Sequence, residues 1–270
     1  MQTQAQSQKT GKPGTIFGHV LVGIDGSPEA LEAARQASAL ADEPVTLLAT
    51  YELVSGLVGG AGPAVPVYID QARLRESAEL EIDQARAEIP DLSGPGKVMA
   101  GHAWEAILAE IDRERHTLVA VGSHGTGRVF GIVIGSTATE LIHKAPCSVL
   151  VARGKPANFP SRIVVGLDGS EESAVAYATA KAIAERSQAR LRPIVAYVDD
   201  HVDLEAVQRL GTRFRGVNNL PVDALVSASA EADLLVVGSR GLHGIKALGS
   251  VSERVAHQAA CSVLIVRRPS

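Results

Sequence analysis

Aromatic residues are scarce in this chain, at 3% of 270 residues. A core must therefore come from Ala, Val, Leu and Ile, which suits buried parallel strands and close-packed helices better than an aromatic-rich sandwich. Cysteine is limited to two, Cys147 and Cys261, each at the start of an apolar run. That number excludes a disulfide framework and fits two small buried hydrophobes. No apolar run approaches the roughly 18 residues that span a bilayer. The opening MQTQAQSQKTGKPGT has no apolar core, so no secretory signal or anchor is expected there and a cytoplasmic location is. A basic excess is missing too, because 26 Lys and Arg stand against 30 Asp and Glu. The balance argues against nucleic acid as a partner.

The chain does contain a repeat of itself. HVLVGIDGSPEALEAARQASALA from His19 matches RIVVGLDGSEESAVAYATAKAIA from Arg162, and LVAVGSHG from Leu118 matches LLVVGSRG from Leu234. APCSVLVAR and AACSVLIVR then close the copies at Arg153 and Arg267. The offset is 143 from Asp25 to Asp168, 116 from Gly122 to Gly238 and 114 from Gly135 to Gly249, so the second copy is shorter by 27 residues early and two later. The expected organisation is a loose tail over 1–17, a first domain over 18–153, a Gly and Pro linker over 154–161 and a second domain over 162–268.

Each copy alternates strand-like and helix-like segments, which implies an α/β fold of two tandem doubly wound five-stranded parallel-sheet domains. In the first copy, strands are expected at Val20–Ile24, Val45–Thr50, Lys97–Ala100, Leu118–Val121 and Ser148–Val151. Helices are expected to start at Ser27-Pro28 and to occupy Gln71–Glu88, Trp104–Glu114 and Ser136–Lys144. Forty-six residues separate Thr50 from Lys97 but only 15 separate Tyr197 from Arg213, so the second helix of the second domain is expected to be a stub. Leu53 to Val67, rich in Gly and Pro, reads as a plain surface insertion in preference to a mobile lid or partner-binding loop.

Open α/β sheets bind ligands at the strand ends where the strand order reverses. With order 3-2-1-4-5 that point lies between the first and fourth strands, where Asp25 faces the loop from Gly122. The loop GSHGTGRVFGIVIGST leads to a helix starting near Ser136, whose first N–H groups, at Gly135, Ser136 and Thr137, suit an anion. A flexible loop before an ordinary helix cap would look similar by itself. The carboxylate, the glycines and the capped helix together favour a phosphate-bearing ligand. His124 and Arg128 lie in the candidate loop, within reach of a phosphate, and read in preference as exposed polar loop residues. No Walker loop, His-Glu-x-x-His, Gly-x-Ser-x-Gly or paired Cys-x-x-Cys occurs, and Phe130 breaks a dinucleotide fingerprint.

Gly122-x2-Gly125-x9-Gly135-Ser136, with Asp25, the GIDGS and GLDGS openings and the CSVLV-type ends, resembles the universal stress protein family, ATP-binding branch. The resemblance runs from His19 to Arg268 outside the linker and the Gly-rich insertion. It implies an adenine nucleotide as ligand, ATP or AMP/ADP, with Mg as an optional companion. It places Asp25 at the adenosine, the main chain of Thr50 at the base edge and Val121 and Gly122 along the nucleoside. Gly125 goes to the ribose or phosphate loop, and Gly135, Ser136 and Thr137 to the phosphates. In the second copy Asp168, Gly238, Gly241, Gly249 and Ser250 keep the residue types, but only seven residues separate Gly241 from Gly249. Weaker or absent nucleotide binding is expected there. The apolar closing strands of the two copies are expected to pair as an intramolecular pseudo-dimer, with a homodimer as a further option. A slow ATPase and a non-nucleotide-binding structural protein are the alternative readings.

Overall fold

A computed structural model describes residues 14–52, 56–58, 65–67, 70–124, 134–198, 202–239 and 250–268. The first half runs β1 (Val20–Ile24), α1 (Pro28–Leu40), β2 (Thr46–Tyr51), β3 (Gly56–Val58), β4 (Val65–Val67), α2 (Gln71–Glu88), β5 (Gly96–Ala100), α3 (Ala103–Glu114), β6 (Leu118–Gly122), α4 (Ser136–Lys144) and β7 (Ser148–Ala152). The second runs β8 (Arg162–Leu167), α5 (Glu171–Ser187), β9 (Arg190–Ala196), α6 (Leu204–Arg209), β10 (Arg215–Val217), α7 (Pro221–Ser229), β11 (Leu234–Gly238), α8 (Val251–Gln258) and β12 (Ser262–Val266). None of the described helices is long and apolar enough to cross a membrane.

Ten strands form one sheet, in the order β10-β9-β8-β11-β12-β7-β6-β1-β2-β5. Within each half the pairs are parallel and the order is 3-2-1-4-5; β7 and β12 meet antiparallel, Leu150 opposite Leu264 and Val151 opposite Val263. Helices cover both faces, so strand side chains are buried in both directions. Val22, Leu150 and Leu264 lie on one side and Leu21, Val149 and Ile265 on the other. Burying each such side chain contributes about 1.5–3 kcal/mol. Small residues let the helices sit close: Ala33, Ala34 and Ala37 of α1 are fully buried against the sheet. The hydroxyl of Ser27 caps α1 by accepting from Ala30 N–H at 3.1 Å, and Ser170 does the same for α5. Both cysteines are free and buried.

The expected strands and helices of the first copy appear within a residue or so of their expected bounds, and α6, with six residues against 18 in α2, is the anticipated stub. Two expectations are corrected. The tail is shorter than 17 residues, because Ile16 and Phe17 donate their N–H groups to Asp42 Oδ2, both at 2.7 Å, and Phe17 is buried. The insertion after β2 is not plain loop: β3 and β4 pair antiparallel, Gly56 opposite Val67 and Val58 opposite Val65. β-branched valines on either side of a Gly-Gly-Ala-Gly-Pro run favour that hairpin.

Candidate functional site

β1 and β6 lie side by side in the middle of the first half, and the chain leaves their C-terminal ends in different directions. The crevice this creates is a cleft of about 270 Å³, near the lower end of the roughly 300–1,000 Å³ usual for small-molecule sites. Asp25, Thr50, Val121, Gly122, Gly135, Ser136 and Thr137 all line it. Gly125, expected in the same site, lies outside the described residues. Leu48, Ala103 and Ile107 supply apolar wall that sequence reasoning did not identify. Leu48 reaches the wall because it pairs with Gly23, one residue below the Ile24–Ala49 pair that ends β1.

Asp25 is held by a tight turn. Its Oδ1 accepts from the N–H of Ser27 at 3.0 Å and from the Ser27 hydroxyl at 2.5 Å, and Gly26 between them takes a positive φ of 72°. The same Ser27 oxygen caps α1, so carboxylate and helix are fixed to each other. Thr50 lies one residue beyond Ala49, which pairs with Ile24 at the end of β1, so it overhangs the floor of the cleft. Gly122 is there because α1 presses on it: a Cβ at this position would stand 2.8 Å from the Glu29 carbonyl carbon.

The loop after β6 leaves at Ser123 and returns at Gly135, whose N–H donates to the Ser123 carbonyl at 2.8 Å. The expectation that Gly135 offers its N–H to a ligand is therefore corrected. Closing the loop uses that donor. Ser136 and Thr137, the first two residues of α4, remain as the helix-start groups facing the cleft. α4 has no side-chain cap and no acidic residue in its first turn, while His143 and Lys144 occupy its last turn. That charge distribution suits an anion at the start. His124 lines the cleft half-buried, its Nδ1 3.1 Å from the Ser123 hydroxyl, rather than standing out in solvent. Arg128 lies outside the described residues.

The cleft walls carry a carboxylate but, among the described residues, no Lys or Arg. Glu81 of α2 packs over Gly26, its Cγ 3.4 Å from where a Gly26 Cβ would be. Burial, and secondarily the charge of Asp25, hold the Glu81 carboxyl above the usual range. Among the described residues no group of three or more His, Cys, Asp and Glu side chains could hold a metal ion.

The second half repeats the turn but not the opening. Asp168 Oδ1 accepts from Ser170 N–H at 2.9 Å and from its hydroxyl at 2.5 Å, and a Cβ on Gly238 would lie 2.5 Å from the Glu172 carbonyl oxygen. Over Gly169, however, stands main chain instead of a side chain. Asp203 donates its N–H to the Asp168 carbonyl at 2.9 Å, and its own carbonyl would be 2.3 Å from a Gly169 Cβ. The last helix also starts one position later in the repeat frame. Ser250, the counterpart of Ser136, is the N-cap of α8, and its hydroxyl accepts from Glu253 N–H at 3.2 Å. Gly241 and Gly249 lie outside the described residues.

Known proteins resemble this chain in sequence and in fold. The Universal stress protein family matches residues 17–153 and 205–267. A universal stress protein of Mycolicibacterium smegmatis is 29% identical over 288 residues, covering 92% of this chain and 96% of that one. One from Mycobacterium tuberculosis is 30% identical over 289 residues, with the same coverage of 92% and 96%. Among solved structures, a universal stress protein from Archaeoglobus fulgidus superposes with a TM-score of 0.71 at 20% identity, covering 95% of this chain and 98% of its own, which shows the shared fold.

Proposed function

Because the chain belongs to the universal stress protein family, we propose that its first half binds one adenine nucleotide, ATP or its mono- or diphosphate, and changes surface or partner affinity when occupied. The observation that carries this reading is the open start of α4. A helix whose first N–H groups have no side-chain cap faces a cleft whose opposite wall is Asp25. The contrast with α8, whose start is closed by Ser250, marks that opening as particular to the first half.

In this reading the Asp25 carboxylate accepts from the ribose hydroxyls, since an ionised carboxylate is an acceptor only. The main chain at Thr50 reads the base edge, and Leu48, Val121 and Ile107 pack on the base and sugar. Gly122 borders the nucleoside with its main chain, its missing Cβ being where α1 packs, and Ser136 and Thr137 meet the phosphates with N–H and hydroxyl. With no cationic side chain among the described cleft residues, phosphate charge is met by backbone dipoles and any Mg that accompanies the nucleotide. The second half acts as a structural partner.

Calorimetric titration with ATP, with and without Mg, tests the reading. One nucleotide per chain is expected for the wild type and for Asp168→Ala. Asp25→Ala is expected to bind at least about tenfold more weakly, the equivalent of one charged hydrogen bond. Two nucleotides per chain would return the second half to the binding sites. No heat from the wild type would place the protein among structural, non-nucleotide-binding modules.

A further inference from the structure

The last helix of each half is short, nine residues in α4 and eight in α8. Helices of that length do not hold themselves together in water, so their placement depends on contacts at their sides and ends. α8 has a capping serine at its start; α4 has none. α4 packs on α3, β6 and β7 of its own half through Ala138, Leu141 and Ile142, and its far end is held in addition from the other half of the chain.

Arg267 follows β12, next to the antiparallel seam with β7. Its main-chain N–H donates to the Ser148 hydroxyl at 3.2 Å, and its two Nη groups donate to the carbonyls of Ala145 and Ile142, which end α4. Those carbonyls belong to the set a helix leaves unsatisfied at its C-terminus. A guanidinium there also complements the negative end of the helix dipole. Arg153, after β7, makes the reciprocal reach: its Nη2 donates to the Ala256 carbonyl in α8, and its backbone exchanges hydrogen bonds with the Ser262 hydroxyl. Each half thus lends an arginine to the last helix of the other. A second contact joins the two helices directly, His143 Nε2 to Glu253 Oε1 at 3.0 Å.

The exchange has different consequences on the two sides. At the start of α8 the serine cap already satisfies a donor, so Arg153 supports a closed helix. At the start of α4 lie the open groups of Ser136 and Thr137. Nine residues of helix behave as a rod about 13 Å long, so a hold on its C-terminus, added to its packing on α3, constrains where its first turn stands. We propose that Arg267 is a positioning residue for the first-half cleft: the second half holds α4 by its end and so sets the helix start against Asp25. The inference rests on the nucleotide reading for its functional consequence. The contact itself does not.

The test uses the full chain as wild type, Arg267→Met, Arg267→Lys and Arg153→Met, with two readouts. Hydrogen exchange of the α4 amides should rise in Arg267→Met while α8 stays protected, and the pattern should reverse in Arg153→Met. ATP affinity should fall about tenfold in Arg267→Met, in keeping with the loss of a charged interaction at a helix end. It should fall less in Arg267→Lys, which keeps the charge and can satisfy one carbonyl, and stay within about twofold of wild type in Arg153→Met. Should Arg267→Met fail to fold, Arg267→Lys against Arg153→Met gives the same comparison at smaller amplitude. Unchanged α4 exchange would overturn the inference, as would equal loss of ATP affinity in the Arg153 and Arg267 variants, which is what general weakening of the seam produces. If the wild type binds no ATP, the nucleotide reading falls, and the exchange pattern alone decides whether Arg267 positions α4.

Discussion

Gly122 and Gly238 show how a single atom sets the spacing of the layers. At both positions a Cβ would run into the first turn of the helix after the opening strand, at Glu29 in one half and Glu172 in the other. The obstacles include backbone atoms, which cannot swing aside, so Gly122→Ala must push α1 off the sheet. Overpacking of this kind costs about 1–3 kcal/mol, which for a chain of this size lowers the melting temperature by several degrees at roughly 2–4 °C per kcal/mol. Differential scanning fluorimetry of Gly122→Ala checks it, and the same loss is expected for Gly238→Ala. Since α1 and Asp25 share the Ser27 hydroxyl, Gly122→Ala should also weaken ATP binding, whereas Gly238→Ala should not. The sequence pointed to Gly122 through its spacing from Gly125 and Gly135, as a glycine for a ligand to approach. Its packing role was invisible there, because Glu29 lies far away in the chain. The Gly135 N–H was misread for a related reason: its acceptor, the Ser123 carbonyl, is a main-chain group that no residue type announces.

At the scale of elements, hydrophobic periodicity and capping residues located nearly every strand and helix of the first half, because both signals are local. What was not local was lost. The closure over Asp168 depends on where a six-residue α6 lands after a connection shortened by 27 residues, and it is the backbone of Asp203 that lands there. The one-residue shift between α4 and α8 was equally hidden, since Gly-Ser begins both. That shift separates two serines that the repeat would equate. Ser250→Ala removes an N-cap and should cost about 0.5–2 kcal/mol, with no effect on ATP binding. Ser136→Ala, at an exposed first helical position, should leave stability within about 0.5 kcal/mol of wild type and weaken ATP binding several-fold. Urea denaturation and nucleotide titration of the two variants check the pair; a stability loss shared equally by both would mean that the hydroxyls play one role.

Across the whole molecule, the two halves share one ten-stranded sheet, and the apolar closing strands lie against each other at its centre as β7 and β12. Val149, Leu150 and Val151 face Ile265, Leu264 and Val263 there, all fully buried. Residues 154–161, between β7 and β8, take no part in that pairing. Joined this way, the halves should not need the covalent connection once folded. A protease site inserted within 154–161 and cut after purification should leave both fragments eluting together at the volume of the intact chain. High salt should not separate them, because screening acts only on the charged contacts between the halves, among the described residues Arg186 with Asp42 at 2.8 Å and His143 with Glu253 at 3.0 Å, while the rest of the seam is apolar burial, main-chain pairing and arginines bonded to uncharged carbonyls. Urea should release both fragments in one transition, since separating β7 from β12 bares apolar surface on both faces of the sheet at once. Fragments that part in buffer alone would show that the linker, rather than the seam, keeps the halves in register, and Arg267 would then lose its hold on α4 in the cut protein.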